Sequence, residues 1–230
     1  MTDTGEVTLF GHWICPFSVR VEFALAQRAI PYRVVDVPPS AVRPRGFLVP
    51  LEFIEHSPKR EIPLVRIGQE YLADSIPILE WLEQRFADAP LLPPVADARE
   101  LVRERVAWID RHVYRPMIGV YYGTDLEGIA TAGARFGAAL DTLAEALDGH
   151  DWLAGDAPSL AEALMVAVYV RLDGLRRLGL TAVVPPVICA HIDRCRTLPG
   201  WPTVEWSPEQ IDEFVGRFEK YRERQRAAQG

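Results

Sequence analysis

The stretch GHWICPFSVR, residues 11–20, lies at a change of secondary structure near the start of the chain. The residues before it, Val7 to Phe10, form the short apolar run typical of a buried strand. After Cys15 and Pro16, apolar residues recur at helical spacing, and proline is favoured in a first helical turn because its missing amide hydrogen costs nothing there. The sequence therefore predicts a strand, a tight loop and a helix that begins directly after Cys15.

The next seventy residues predict the rest of a small mixed domain. Residues 32–37 are rich in β-branched and aromatic side chains, which predicts a second strand parallel to the first. Residues 47–56 allow a short helix. Residues 64–67 and 71–73 flank a glycine-containing turn and predict a hairpin, and a helical period follows it. The order βαβ then ββα is typical of a thioredoxin-like sheet with helices on both faces.

The remainder of the chain predicts helices alone. A proline-rich segment, residues 89–96, breaks the last helix of the first half and is the predicted linker. From residue 97 to 230 every strong period is helical, including one apolar stripe from Val102 to Val120 and a buried helix from Leu160 to Leu175. Ser159 and Glu162 have the spacing of a capping box, which predicts the start of a buried helix rather than a catalytic pair. The predicted fold is α+β, with a thioredoxin-like domain over residues 1–88 and an all-helical bundle after the linker.

Composition excludes several classes of function. With 25 basic against 32 acidic residues the chain carries a net charge of -7, which argues against nucleic acid or anionic membrane surfaces as partners. The opening residues have neither a basic cluster nor a long apolar run, so we expect a cytoplasmic protein. The cysteines, Cys15, Cys189 and Cys195, show no paired spacing, and with scattered histidines they predict reduced thiols and no metal site.

Cys15 is the residue that carries chemistry. A free cysteine is usually a small buried hydrophobe. At the start of a helix, however, unpaired amides and the macrodipole stabilise the thiolate, which is the nucleophilic form. Three residues later stands Ser18, where a disulfide oxidoreductase would have a second cysteine. A mixed disulfide on Cys15 must therefore be resolved by an external thiol, and glutathione is the expected one.

Three motifs carry a resemblance to a known family. The run from Cys15 to Arg20 resembles the active-site segment of omega-class glutathione transferases, dehydroascorbate reductases and their soluble chloride-channel relatives. Ile62 and Pro63 before the third strand resemble the family's cis-proline motif, and Asp74-Ser75 before the third helix resembles its acidic-serine pair. The linker, the helical second half and the capping box also match the family's layout.

The resemblance implies a glutathione site in the first half. Pro63 is then cis, and the backbone of Ile62 pairs with the cysteinyl part of glutathione. Asp74 and Ser75 bind the γ-glutamyl end, and Phe17 contributes a further contact.

One position departs from the family pattern. Glu61 stands where many members have a lysine for the glycyl carboxylate. Lys59, Arg60, Arg43 and Arg45 are the alternatives, although basic loop residues are usually just solvated.

A second-substrate site is expected where aromatic residues face the cysteine, although most aromatic residues at helical spacing belong to a core. The candidates are Trp13, Trp108, Tyr114, Tyr121 and Tyr122.

The predicted activity is a glutathione-dependent thiol transferase or reductase that removes glutathione from mixed disulfides or reduces a dehydroascorbate-type substrate. Two alternatives are conjugation of glutathione to electrophiles and a non-catalytic binding or regulatory role. The resemblance also implies a homodimer.

Overall fold

The computed structural model describes residues 6–228 and divides the chain into two compact units. The first unit contains the residues up to Leu91 together with Pro199–Val204. The second contains Leu92–Leu198 and the residues from Glu205 onward. Along the chain the first unit therefore ends within the predicted linker and regains one short segment near the carboxyl end.

The helices are α1 Pro16–Gln27, α2 Leu51–His56, α3 Ser75–Arg85, α4 Ala96–Ile109, α5 Arg115–Tyr122, α6 Leu126–Ala146, α7 Leu160–Tyr169, α8 Leu172–Arg177, α9 Pro186–Arg196, α10 Trp201–Val204 and α11 Pro208–Ala227. None of them combines the length and apolar character needed to cross a bilayer, within the residues described.

A four-stranded mixed sheet organises the first unit. Its strands are β1 Val7–Gly11, β2 Tyr32–Asp36, β3 Leu64–Ile67 and β4 Glu70–Ala73, in the spatial order β2-β1-β3-β4. Strand β1 runs parallel to β2 and antiparallel to β3, and β3 and β4 form an antiparallel hairpin. The predicted βαβ-ββα order and thioredoxin-like topology are thereby confirmed.

The first unit is closed by apolar contacts on the sheet. Phe10, Val37, Phe53 and Leu64 form one buried cluster that joins β1, α2 and β3. At the other end of α1, the amide of Gly200 donates to the Gln27 side chain at 3.0 Å. A side chain at residue 200 would meet the backbone of α1, so this close approach requires glycine.

The second unit is helical, as the sequence predicts, but two predicted helices are interrupted. The stripe from Val102 to Val120 is divided by a π-helical turn, Asp110–Tyr114, between α4 and α5. Pro116 follows that turn and has no amide hydrogen to donate to the preceding turn, which explains the local change in winding. The helix predicted from Leu160 to Leu175 ends at Tyr169 and restarts as α8.

Candidate active site

The sulfur of Cys15 lies at the amino end of α1. Cys15 has an extended backbone, with φ -86° and ψ 118°, and Pro16 is the first residue of the helix. The Cys15 carbonyl accepts hydrogen bonds from the amides of Ser18 and Val19 at 3.1 and 3.0 Å. No side-chain hydrogen bond caps this helix, and the positive end of its dipole lies next to the sulfur.

The backbone of Ile62 lies beside the cysteine. The Cys15 sulfur is 4.0 Å from the Ile62 carbonyl oxygen, although 47 residues separate the two in sequence. The peptide bond between Ile62 and Pro63 is cis, as the resemblance implied. Strand β3 begins one residue later, and Cys15 itself is 6% exposed. The thiol and the predicted backbone contact for a peptide ligand therefore belong to one local site.

Asp74 and Ser75 form the junction between β4 and α3. Asp74 has φ +67°, in the left-handed region that residues other than glycine seldom occupy. Such conformations are concentrated at binding and catalytic sites. Ser75 is the first residue of α3, and the Asp74 side chain does not cap that helix. Instead the Asp74 carboxylate lies 3.3 Å from the ammonium group of Lys59 at the surface.

Arg20 joins two parts of the site, a contact that the sequence reasoning did not identify. This residue of α1 is 2% exposed, and its Nε donates to the Ser75 hydroxyl at 2.9 Å. Its Nη2 donates to the same oxygen. The guanidinium carbon also lies 4.9 Å from the centre of the Phe17 ring. The only sequence signal was its place at the end of the motif that begins with Cys15.

The loop before Cys15 is held by His12, which the sequence reasoning also missed. The imidazole is 5% exposed, and its Nδ1 accepts a hydrogen bond from the amide of Ile14 at 3.0 Å. Its Nε2 lies 3.7 Å from a carboxylate oxygen of Asp36. Trp13 stacks on the imidazole with ring centres 5.3 Å apart. These contacts fix the chain that leads into the cysteine.

Ser18 has a packing role in this unit. Its side chain is 1% exposed, and its hydroxyl has no hydrogen-bond partner among residues 6–228. A Cβ added to Gly11 would lie 3.0 Å from the Ser18 side chain, which shows how closely helix α1 and strand β1 approach here. The hydroxyl is thus buried between α1 and β1 and makes no hydrogen bond to Cys15.

The basic residues considered for the glycyl carboxylate fall into two groups. Lys59 pairs with Asp74, and Arg43 donates to the Pro38 carbonyl at 3.0 Å. Arg45 and Arg60 form no ion pair with any residue in the described part of the chain and are exposed. Both are therefore available to a carboxylate ligand, while Lys59 and Arg43 already have partners.

The aromatic candidates for a second-substrate site lie in different surroundings. Trp108 is half-buried, stacks on His112, and lines a groove of about 830 Å³ within the helical unit. Tyr114 is 1% exposed and donates to the Leu164 carbonyl at 2.9 Å. Tyr121 is 3% exposed and packs, with Tyr122, against the aromatic rings of α11. Burial leaves the side chains of Tyr114 and Tyr121 little surface for a ligand.

The other two cysteines have unrelated environments. Cys189 is exposed, whereas Cys195 is fully buried, close to His191 and Glu162. Burial, with a smaller contribution from the Glu162 charge, raises the pKa of the Cys195 thiol far above its ordinary value. Among residues 6–228, no cluster of three or more histidine, cysteine or acidic side chains could hold a metal ion.

Comparison with known proteins agrees with the fold. Residues 14–85 match the family model of the glutathione S-transferase N-terminal domain. The chain is 28% identical over 127 residues to glutathione S-transferase U2 of Arabidopsis thaliana, an alignment that spans 53% of each protein. It is 25% identical over 240 residues to the probable glutathione S-transferase GSTU1 of Oryza sativa subsp. japonica, covering 96% of this chain and 98% of that one.

Solved structures show the same architecture over almost the whole chain. Rice GST1 in complex with glutathione superposes with a TM-score of 0.81 at 23% identity, covering 95% of this chain and 98% of that one. Glutathione transferase Omega 3C of Trametes versicolor gives a TM-score of 0.79 at 19% identity, covering 98% and 93%. The chain thus has the glutathione transferase fold. The cysteine-type class of glutathione transferase stays a prediction.

Proposed function

We propose that this protein is a glutathione-dependent thiol transferase in which Cys15 is the nucleophile. The Cys15 thiolate attacks the glutathione sulfur of a substrate mixed disulfide, which forms a disulfide between Cys15 and glutathione and expels the substrate thiolate. A second glutathione thiolate then attacks the glutathione sulfur held on Cys15. The products are oxidised glutathione and the free Cys15 thiolate, so that each turnover reduces one mixed disulfide and oxidises one glutathione.

The observation that carries this proposal is the placement of Cys15 relative to Ser18. Cys15 lies at a helix start without a side-chain cap, where the positive end of the helix dipole stabilises an anion. The Ser18 hydroxyl is the alternative group for activating a bound thiol, but it is buried against Gly11 and makes no hydrogen bond to the cysteine. This arrangement therefore fits a mechanism in which Cys15 is the nucleophile better than one in which the Ser18 hydroxyl activates the thiol of glutathione.

The geometry around Cys15 also suits a γ-linked tripeptide. The Ile62 backbone beside the sulfur offers an amide and a carbonyl to the central residue of an extended peptide. Ser75, at the start of α3, offers donors to a carboxylate, and Asp74 offers an acceptor to an ammonium group. Arg60 and Arg45 are the proposed contacts for the glycyl carboxylate, because both are free of ion pairs within residues 6–228.

The direct test is to trap the mixed disulfide. The protein is incubated with a glutathionylated peptide, and the glutathione adduct is located by mass spectrometry while oxidised glutathione is followed in a coupled assay. We expect an adduct of one glutathione on Cys15 and turnover that disappears in Cys15→Ala. Cys189→Ala is the matched control, since that thiol is exposed and should be dispensable. Equal turnover in wild type and Cys15→Ala would refute the mechanism.

Conjugation of glutathione to an electrophile is the second candidate. It is favoured by the relatives that span most of the chain, which are named glutathione S-transferases. In that reaction the thiolate belongs to glutathione and is stabilised by donors of the site. Activity toward a chlorodinitrobenzene that survives in Cys15→Ala would support this candidate over the first. A protein with a purely binding role would instead bind glutathione in calorimetry and show neither thiol transferase nor conjugating activity.

We further propose that Trp13 and Trp108 contribute to binding the non-glutathione substrate and that the protein is a homodimer. Both tryptophans are only half-buried, unlike Tyr114 and Tyr121. Trp108→Ala and Trp13→Ala should each raise KM for the glutathionylated substrate while leaving KM for glutathione unchanged. Light scattering on the eluting protein should give twice the chain mass of 25.8 kDa.

A further inference from the structure

His12 closes the tight turn that leads from β1 into α1. The turn runs from His12 to Cys15, and the Cys15 amide donates to the His12 carbonyl at 3.0 Å. The amide of Ile14, inside the turn, donates to Nδ1 of the His12 ring, also at 3.0 Å. Ile14 is 2% exposed and His12 is 5% exposed, so this bond is shielded from water. One residue therefore supplies the acceptors for two amides of the turn that ends on the nucleophile.

We propose that His12 is a positioning residue for the proposed reaction, in which its neutral ring holds the turn that places the Cys15 sulfur beside the Ile62 backbone. The inference rests on the proposed function, because it concerns the nucleophile of that reaction. It adds a residue that acts through Cys15 and does not touch the ligand. It also makes the position of the sulfur depend on whether a histidine carries one proton or two.

The protonation state of the ring follows from the direction of its hydrogen bond. A backbone amide can only donate, so Nδ1 of His12 is the acceptor and carries no proton. A neutral imidazole then carries its hydrogen on Nε2. That nitrogen lies 3.7 Å from a carboxylate oxygen of Asp36, at the end of the neighbouring strand β2. Asp36 is the charged residue that faces the ring from β2, and Cys15 is the other titratable residue of the turn.

A second proton on the ring disrupts this arrangement. The proton on Nδ1 faces the hydrogen of the Ile14 amide, so a hydrogen bond is replaced by a repulsion between two donors. The buried Ile14 amide loses its acceptor, which favours a rearranged turn. The Asp36 carboxylate has the opposite effect, because a nearby negative charge favours the doubly protonated ring. A free histidine titrates at about pH 6.5, so both forms of the ring are reached under ordinary assay conditions.

The turn sets the position of the sulfur because Cys15 is its last residue. On the other side, the Cys15 carbonyl accepts from the amides of Ser18 and Val19, which ties this residue to α1. The sulfur is then held 4.0 Å from the Ile62 carbonyl oxygen, on the backbone proposed to pair with glutathione. A displacement of about 1 Å in a reacting group can cost about 100-fold in rate. A released turn therefore lowers the rate at Cys15 while the other proposed contacts of glutathione stay in place.

Two substitutions separate the Nδ1 acceptor from the rest of the ring. In His12→Asn the side-chain oxygen can take the place of Nδ1, whereas in His12→Gln the amide group lies nearer the place of Nε2. Neither side chain takes up a proton in the relevant pH range. His12→Asn should therefore keep the bond to the Ile14 amide at every pH, and His12→Gln should lose it at every pH. His56→Asn is the matched control, because His56 belongs to the same unit but stacks on Tyr71.

The first measurement is the alkylation rate of Cys15 from pH 5 to 8, followed by mass spectrometry of the Cys15 peptide. At pH 8 the rate in His12→Asn should lie within about twofold of wild type, and the rate in His12→Gln should be lower by about tenfold or more. All rates fall with pH as the thiolate is lost. The ratio of the wild-type rate to the His12→Asn rate removes this shared decline. That ratio should fall by about threefold or more from pH 8 to pH 5, and the His56→Asn profile should match wild type.

The second measurement separates kcat from ligand binding. For reduction of a glutathionylated peptide, kcat should be about tenfold lower or more in His12→Gln and close to wild type in His12→Asn. The dissociation constant of glutathione, measured by calorimetry, should stay within about twofold of wild type in both variants. A purely structural role for His12 would instead lower the free energy of unfolding in both variants. It would leave the Cys15 rate per folded molecule and its pH dependence unchanged.

The outcomes separate this inference from the proposed function. Absence of peptide reduction by wild type would refute the proposed function, and with it the role of His12 in that reaction, even if the alkylation rates behave as expected. Equal Cys15 rates in wild type and His12→Gln would overturn the inference alone. So would a ratio of wild type to His12→Asn that stays constant or rises as the pH falls. If neither variant folds, the nitrogen-15 shifts of the wild-type His12 ring decide, and a protonated Nδ1 at pH 8 would overturn the inference.

Discussion

The starts of α1 and α7 differ in whether a side chain caps the helix. At α7 the helix amides are satisfied internally by a complete capping box between Ser159 and Glu162, both of which are buried. The Glu162 carboxylate also accepts from the amide of Leu153 at 2.8 Å. At α1 the residue in the same position is Cys15, which makes no capping bond, and Pro16 removes one of the donors.

This difference distinguishes a helix start that maintains the fold from one that can serve a ligand. At the start of α7, here called the closed start, Ser159 and Glu162 accept hydrogen bonds from the amides of Leu153, Ser159 and Ala161. The start of α1, here called an open start, has no side-chain cap and places the positive end of its dipole next to the sulfur, and α3 likewise begins without a side-chain cap. Substitutions at the closed start should therefore lower stability, whereas those at the open starts should change binding and chemistry.

The largest expected effect is the loss of turnover in Cys15→Ala. We expect the rate of reduction of a glutathionylated peptide to fall by more than about 1,000-fold, because removal of a covalent nucleophile leaves only binding and orientation. The free energy of unfolding should change by about 1 kcal/mol or less, since one sulfur atom is removed and no cap is lost. Urea unfolding followed by fluorescence provides the stability measurement. A large loss of stability would contradict the contrast between the two helix starts.

Glu162→Ala, at the closed start of α7, should have the reverse effect: a loss of stability without a loss of turnover. This change leaves the amides of Leu153 and Ser159 buried without their acceptor, which should lower the free energy of unfolding by about 3–5 kcal/mol. Ser159→Ala, which removes only the cap hydroxyl, should cost about 1 kcal/mol. Turnover per folded molecule should be unchanged in both. Glu127→Ala is the control, because Glu127 lies exposed in the first turn of α6. A loss of turnover without a loss of stability would contradict the structural role.

A third test uses the thiol of Cys195, which is buried near Glu162 of the α7 capping box. Burial raises the pKa of the Cys195 thiol in the folded state, whereas an unfolded cysteine titrates near pH 8.5. The native state therefore holds this proton more tightly. The resulting stability is fully present below about pH 8.5 and is lost as the pH rises toward the folded pKa. The loss should approach about 1.4 kcal/mol per pH unit, or about 2 kcal/mol by pH 10.

The measurement for this third test is urea unfolding from pH 7 to 10. Cys195→Ala should show a shallower decline than wild type above pH 8.5. Cys189→Ala should retain the wild-type decline, because that thiol is exposed in the folded state. Cys195 should also resist alkylation until the protein unfolds, whereas Cys15 should react in the native state. Parallel declines in wild type and Cys195→Ala would show that Cys195 does not contribute this pH dependence.

The sequence predicted the closed start of α7 at Ser159, and at the open start of α1 it predicted a helix that begins directly after Cys15. Local signals, such as the serine-to-glutamate spacing or the proline after Cys15, depend on neighbouring residues and predicted the elements well. The contact from Arg20 to Ser75 joins residues 55 positions apart, and no local pattern encodes it. The same holds for the burial of Tyr114, because a helical period shows that a side chain faces a neighbour but not how completely it is covered.

The smallest expected effect concerns the exposed pair of Lys59 and Asp74, which holds the open start of α3 when no ligand is present. Exposed ion pairs contribute about 0–1 kcal/mol, so releasing Asp74 in Lys59→Gln should lower the glutathione KM by about fivefold at most. Salt at 0.5 M should weaken the pair in wild type and reduce the difference between the two proteins. Lys220→Gln is the control for charge alone, since Lys220 is an exposed lysine of α11 with no role in the proposed glutathione site. A higher KM in Lys59→Gln would instead make Lys59 a direct contact for a glutathione carboxylate. The pair would then be part of the binding site rather than a competitor for it.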